Sequence, residues 1–116
     1  MKPVYKRILL KLSGEGLMGD KSFGMSADVI KGLAEQIKAV HDCGVEVCIV
    51  VGGGNIFRGA KEASKGMNRT VADHVGMLAT VMNALYIQNA LEEIGTPARV
   101  LSGLNIPEVC EHYIYR

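Results

Sequence analysis

The chain has 116 residues, 48% of them hydrophobic and 22% charged, with a formal net charge of +1. That is the composition of one small globular domain: too apolar for a disordered chain and too nearly neutral for a general nucleic-acid binder, so any anion site must be local. Cys43, Cys48 and Cys110 are odd in number and lack a C-x-x-C pair, and His41, His74 and His112 stand at no ligand spacing from them; this favours reduced cysteines in a cytoplasmic protein over a disulfide framework or a zinc site.

Residues 5–12 read as a first strand, with Ile8, Leu9, Leu10 and Leu12 as its apolar content. The basic Lys2, Lys6 and Arg7 precede an apolar run of only Ile8-Leu9-Leu10 before Lys11, which is too short for a signal peptide or a membrane span. The next stretch, SGEGLMGDKSFG over 13–24, is too broken by glycine for helix or strand. Ser26 then suits a helix N-cap, Val29, Ile30, Leu33, Ile37 and Val40 recur at helical spacing, and Gly44 ends the pattern. Residues 45–51 form a β-branched run bounded by glycines, as expected of a central parallel strand buried on both faces.

A short helix is expected from Asn55, then a charged connection through Lys61, Glu62 and Lys65. A long helical pattern covers about 68–94 and stops at Gly95-Thr96-Pro97, a glycine C-cap with proline beyond it. Residues 98–102 suggest a short strand, and Pro107 opens a last short helix in which the final residues would lie. No repeat or low-complexity segment interrupts this rhythm of strand and helix, which is that of an α/β domain with a parallel sheet. In such sheets ligands gather at the carboxyl ends of the strands. Both glycine-rich stretches, 13–24 and 52–54, follow strands directly and so share one sheet edge.

Two generic phosphate signatures fail here. Gly14 and Gly19 have Walker spacing, but Asp20-Lys21-Ser22 follows, one residue out of register and acidic where the lysine belongs. A dinucleotide fingerprint needs a glycine at position 57, where Phe57 stands. What remains is more specific. Lys11, at the end of the first strand beside a glycine loop, either points into solvent or serves as a compact cation for phosphoryl oxygens. Gly52-Gly53-Gly54-Asn55 is a tight turn or a place where backbone amides approach an anion, and Arg58 is a surface residue or a bidentate phosphate fork. Asp73 shares a helix face with Met77, Thr80 and Ala84; it is either a macrodipole partner near the helix start or an acceptor for sugar hydroxyls. Met77 and Met82 suit core or interface filling.

The words KLSGE (11–15), FG (23–24), GGGNIFRG (52–59), GMNR (66–69) and ADHVGMLATVMNAL (72–85) resemble bacterial UMP kinases, the uridylate kinases of the amino-acid-kinase fold. The resemblance runs without an evident gap through all 116 residues. K-x-S-G and GGG belong to the wider superfamily, whereas GGGNIFRG and MNRTVADHVGMLATVMNAL are more specific and rank UMP kinases above carbamate, acetylglutamate, glutamate and aspartate kinases.

The resemblance implies an α/β three-layer sandwich with a parallel sheet, and a reaction in which the γ-phosphoryl of Mg-ATP passes in line to UMP, giving UDP and ADP. Lys11 and Arg58 are the implied catalytic groups. Lys11, Leu12, Ser13, Gly14, Gly54 and Arg58 are the implied ATP contacts, and Gly53 and Asp73 the implied UMP contacts, Asp73 holding the ribose. Gly19, Asp20, Lys21, Ser22, Phe23 and Gly24 match a segment linked in the family to GTP activation, and Arg99 matches a basic position near the effector site, although Gln88 and Glu92 stand where other members can be basic. UTP inhibition and a homohexamer belong to the same expectation, with Mg2+ arriving on ATP and no tightly bound cofactor, metal ligand set, nucleic acid or membrane. Family members are about twice this length, so residues 1–116 are expected to form the N-terminal, phosphate-acceptor portion, with the ATP-base-binding portion absent and activity of this portion alone in doubt. The alternatives are a non-catalytic nucleotide- or phosphate-binding, oligomer-forming domain, in which Ala72, Gly76, Ala79 and Met82 would make a helix-to-helix subunit contact, or another kinase of this superfamily.

Overall fold

The structure, a computed structural model, describes residues 3–21, 23–57 and 65–114. Strand β1 (Arg7–Leu12) and strand β2 (Glu46–Val51) pair in parallel, in register from Arg7↔Glu46 to Leu12↔Val51. Helix α1 (Ala27–Asp42) is the crossover between them. Ser26 caps it, its Oγ accepting from the Val29 amide at 3.4 Å, and Gly44 ends it at φ +92, a conformation that favours glycine.

Side-chain direction alternates along both strands. Ile8, Leu10, Leu12, Val47, Ile49 and Val51 are half-buried, whereas Arg7, Leu9, Lys11, Glu46, Cys48 and Val50 are exposed. The expectation that β2 is buried on both faces is therefore corrected: Cys48 is exposed and Val50 is 52% exposed, beside Leu9 of β1 at 68%. An unbroken apolar run says that both faces tolerate burial, not that the described residues cover both. The covered face meets a core of Ile30, Ala34, Ile37, Ile87 and Leu91, drawn from the two helices, together with Leu17 from the stretch after β1. Burying side chains such as Ile37 and Ile87 stabilises by about 1.5–3 kcal/mol each. In α1 the buried stripe is Ile30, Ala34 and Ile37, while the expected Val40 lies outside it.

Helix α2 (Arg69–Glu93) starts at Asn68, whose side chain accepts from the Thr70 and Val71 amides at 2.9 and 3.3 Å. It stops as expected. Gly95 adopts φ +84, its amide reaches Glu92 O at 3.1 Å, and the Thr96 amide reaches Leu91 O at 2.9 Å, a Schellman closure. Its buried side includes Ala72, Ala79, Asn83, Ile87 and Leu91. Ala72 and Ala79 are thus enclosed within this chain, which corrects their expected place in a subunit contact; the exposed apolar stripe is Val71, Leu78, Met82 and Tyr86. Met77 and Met82 are not core residues either.

Strand β3 (Leu101–Ser102) is shorter than expected and pairs in parallel with β4 (Glu111–His112). The helix expected at Pro107 is one turn, with the Val109 and Cys110 amides both on Ile106 O. It goes no further because Val100 O takes the Glu111 amide and Ser102 O takes the Tyr113 amide, each at 2.8 Å, drawing the chain into a sheet. No helix among the described residues is long and apolar enough to cross a membrane.

Candidate functional site: two glycine loops in contact

The ladder of β1 and β2 extends one bond past the strands, from the Gly52 amide to Leu12 O at 2.9 Å. Both chains therefore leave the sheet side by side, and their loops touch. A methyl group on Gly14 would stand 2.6 Å from Gly54 N, 3.0 Å from Asn55 N and 2.5 Å from Asn55 Oδ1. Gly14 has φ −61, which any residue adopts, so glycine is needed there for close approach rather than for an unusual backbone. Gly53 is wedged in the same way against α2, where a methyl would stand 2.8 Å from Ala79 Cβ and 3.1 Å from Thr80 N. Gly54 packs under Glu15, whose carboxyl carbon would lie 2.8 Å from a methyl there.

The fourth residue of the loop holds it in place. Asn55, 2% exposed, donates through Nδ2 to Gly24 O at 2.8 Å and to Asn83 Oδ1 at 3.2 Å. Asn83, fully buried in α2, donates in return to Asn55 Oδ1 and to Gly52 O, both at 2.7 Å. The Gly24 amide completes the circuit on Asn55 O at 2.9 Å. Every N–H of the two amides has an acceptor, as buried polar groups require. Beyond Asn55 the expected short helix begins as a single turn, with the Ile56 and Phe57 amides on Gly53 O at 3.0 Å; its continuation, Lys61 and Glu62 lie outside the described residues.

The structure brings some of the expected site residues together and leaves others apart. Leu12, Ser13, Gly14, Gly53 and Gly54 meet at the loop contact, and Lys11 ends the exposed side of β1, in register with Val50. The Ser13 hydroxyl accepts from the Gly16 amide at 3.2 Å. Asp73 lies apart from the loops on exposed α2 surface, where Arg69 Nε donates to its Oδ1 at 3.0 Å. It precedes the Ala79–Thr80 contact with Gly53 by six to seven residues, or about 10 Å of helix. Met77, Thr80 and Ala84, on the face assigned from spacing, border a cleft of about 250 Å³ together with Val50, Val51 and Ser102, and neither Asp73 nor Gly53 lines it. Arg58 and Ser22 lie outside the described residues.

The 19–24 segment reaches the site through Gly24, φ +78, while Gly19, Asp20, Lys21 and Phe23 are exposed. Gly19, at φ +60, packs on Ser26, where a methyl would stand 2.9 Å from Cβ. Arg99 is remote from the glycine loops in its bonding. Its guanidinium forks onto both oxygens of Glu111, Nε donating to Oε2 at 2.8 Å and Nη2 to Oε1. That hydrogen bonding, and then the charge, holds the Glu111 carboxyl below its ordinary range and the Arg99 guanidinium above its own. Gln88 is also committed, donating to Ala98 O at 3.1 Å. Among the described residues no three His, Cys, Asp or Glu are grouped to hold a metal.

Sequence reading missed Asn55, Asn83 and Glu15 at this site. Asn83 did leave a signal: it falls on the stripe of Ala72, Ala79, Ile87 and Leu91, where a buried amide needs a reason. Asn55 was absorbed into the glycine turn, and nothing in KLSGE shows that Glu15 folds over Gly54.

The amino acid kinase family model matches residues 6–113. The uridylate kinase of Methylococcus capsulatus is 59% identical over 115 residues, covering 99% of this chain and 48% of its own. That of Dichelobacter nodosus is 54% identical with the same coverage, and that of Ruegeria pomeroyi 58% identical over 97% of this chain and 45% of its own. The chain thus spans about half the length of these curated relatives. Among solved structures, the UMP kinase of Bacillus anthracis superposes with a TM-score of 0.85 at 38% identity, covering 95% of this chain and 46% of that one. The UMP kinase of Ureaplasma parvum gives 0.85 at 35% identity, covering 96% and 47%. With two parallel strands joined through α1, two strand-end loops in contact and a match over residues 6–113, the chain belongs to the amino acid kinase family.

Proposed function

We propose that this chain is the phosphate-acceptor portion of a UMP kinase, which transfers the γ-phosphoryl of Mg-ATP to UMP and releases UDP and ADP. The observation that carries this reading is the packing of Gly14 on Gly54 and Asn55, which merges two strand-end loops into one cradle beside Lys11 in a chain so similar to uridylate kinases. Lys11 supplies a compact positive charge for the phosphoryl oxygens, and Arg58 a bidentate one. Gly53 and Gly54 bring backbone close to the two phosphates, with Leu12, Ser13 and Gly14 forming the ATP side of the cradle.

A UMP phosphate seated at Gly53 directs its sugar along α2 toward Asp73, whose second carboxylate oxygen accepts from ribose hydroxyls while Arg69 orients the first. The attacking group is a UMP phosphate oxygen, so the protein contributes position and charge rather than a nucleophile. Oriented cation and backbone donors of this kind are each worth about 3–4 kcal/mol of barrier.

A cytoplasmic location, GTP activation through 19–24 and Arg99, UTP inhibition and a hexameric assembly belong to the same proposal. The exposed stripe Val71, Leu78, Met82 and Tyr86 supports the assembly, and it also favours the second reading, an oligomer-forming domain that binds nucleotide without catalysis.

The test uses the chain completed with the remaining half of the Methylococcus capsulatus uridylate kinase. Calorimetric titration with UMP and with ATP compares the parent with Asp73→Ala. The expected result is a UMP affinity lowered about tenfold or more with ATP affinity little changed; an equal loss for both nucleotides would assign Asp73 a structural role and contradict the placement of the ribose.

A further inference from the structure

We propose that the Asn55–Asn83 amide pair is a positioning element. It fixes the 52–55 loop on α2 and ties the Gly24 backbone to it, so that the loop geometry and the Gly24 backbone hold or fail together. Three parts of the chain distant in sequence converge on these two side chains. Asn83 anchors Gly52 O, Asn55 anchors Gly24 O, and the reciprocal amide contact joins them. The Gly24 amide bonds Asn55 O, so Gly24 and Asn55 are held by two bonds running in opposite directions.

The chemistry at each position is specific to asparagine. Position 83 must present two donors, to Gly52 O and Asn55 Oδ1, from a site with no solvent access. Aspartate is nearly isosteric but has no donor, and would set an oxygen against two oxygens at 2.7 Å. Leucine would leave both acceptors without a partner. A flipped Asn83 amide would face its oxygen to Gly52 O, so the network also fixes the orientation. Gly53 and Gly54, flanked by the two anchored residues, have their positions set from both sides. Neither asparagine touches a reacting atom here; each acts through the backbone it holds.

The kinetic part of the test rests on the UMP kinase reading, and the exchange part does not. In the completed chain, Asn83→Asp is compared with Asn89→Asp, a change on the exposed side of α2 where Asn89 donates to Glu93. At a temperature where circular dichroism shows both folded, Asn83→Asp is expected to raise the KM for UMP about tenfold or more, and Asn89→Asp less than about twofold. Lost stability alone would lower the rate per total protein and leave KM where it was. Asn83→Ser, which keeps one donor, serves if Asn83→Asp does not fold, with about a fivefold rise expected.

Amide hydrogen exchange provides the second readout. Gly24, Ile56 and Phe57 are expected to share one protection level, within about threefold, and to lose about tenfold of it together in the variant while Ile30 in α1 does not change. A folded variant with an unchanged KM for UMP overturns the proposal, as does protection lost at Gly24 alone or at the loop alone. If the parent does not phosphorylate UMP, the UMP kinase reading fails, and joint or separate loss of protection still decides the role of the amide pair.

Discussion

Replacing Gly14 by alanine tests the loop contact at its tightest point. The added methyl would stand 2.6 Å from Gly54 N and 2.5 Å from Asn55 Oδ1, so the two loops must part by about 1 Å to restore ordinary contact. The obstacle is backbone and a fully bonded amide rather than the free end of a flexible side chain. Overpacking of this kind costs about 1–3 kcal/mol, and the loss of one buried hydrogen bond of Asn55 adds about 1 kcal/mol. At about 4 °C per kcal/mol for a chain of this size, Tm should fall by roughly 8–16 °C. Gly54→Ala is the informative comparison, because the atoms it meets belong to the end of the Glu15 side chain rather than to backbone; about 1 kcal/mol is expected there. Thermal melts followed by circular dichroism, with urea titrations for the free energies, measure both. A Gly14→Ala protein melting within about 2 °C of the parent would refute the contact between the loops.

Four further outcomes are expected. Gly32 lies within α1 with nothing within 4 Å of an added methyl, so Gly32→Ala should stabilise by about 0.5–1 kcal/mol in urea titration. Thr96 Oγ1 is buried without a hydrogen-bond partner among the described residues, so the near-isosteric Thr96→Val should leave stability unchanged or raise it by about 1 kcal/mol, and a loss of that size would reveal a partner. The Glu111 carboxyl, held down by hydrogen bonding to Arg99, should titrate in NMR below the ordinary value of about 4.3. Its folded pKa being the lower one, its stabilising contribution is complete above the unfolded pKa and disappears as pH falls through the folded pKa; pairing of β3 with β4 should therefore weaken in acid, and Glu111→Gln should remove that dependence. In the completed chain Lys11→Ala should lose about 100-fold or more in turnover while UMP affinity changes little, and near-parent turnover would contradict the assigned role of Lys11.

The parts of the fold written in local chemistry were legible. Ser26, Gly44 and Gly95 mark helix ends through side-chain and backbone capping that involves only near neighbours, and each cap stands where the residues indicated. The placement of both glycine loops on one sheet edge followed from parallel pairing, which the register of β1 and β2 shows. What was not legible depends on distant partners. The apolar run of β2 cannot tell which face will be covered, and Pro107 cannot reveal that Val100 O captures the Glu111 amide before a helix forms. Ala79 read as a small residue available to another helix, yet Gly53 had already claimed it. Asn83 shows the same limit at the site: its place on an apolar stripe marks the amide as unusual, but not which loop it holds.

The most direct measurement of the central claim is product identity when the completed chain is incubated with Mg-ATP and UMP. Separation of the nucleotides by chromatography should show UDP and ADP appearing in equal amounts, with ADP formation dependent on UMP, and glutamate or aspartate should yield no acyl phosphate trapped by hydroxylamine. ATP bound or hydrolysed without UDP, or an acyl phosphate in its place, would contradict the reading of the two joined glycine loops as the meeting point of ATP and UMP.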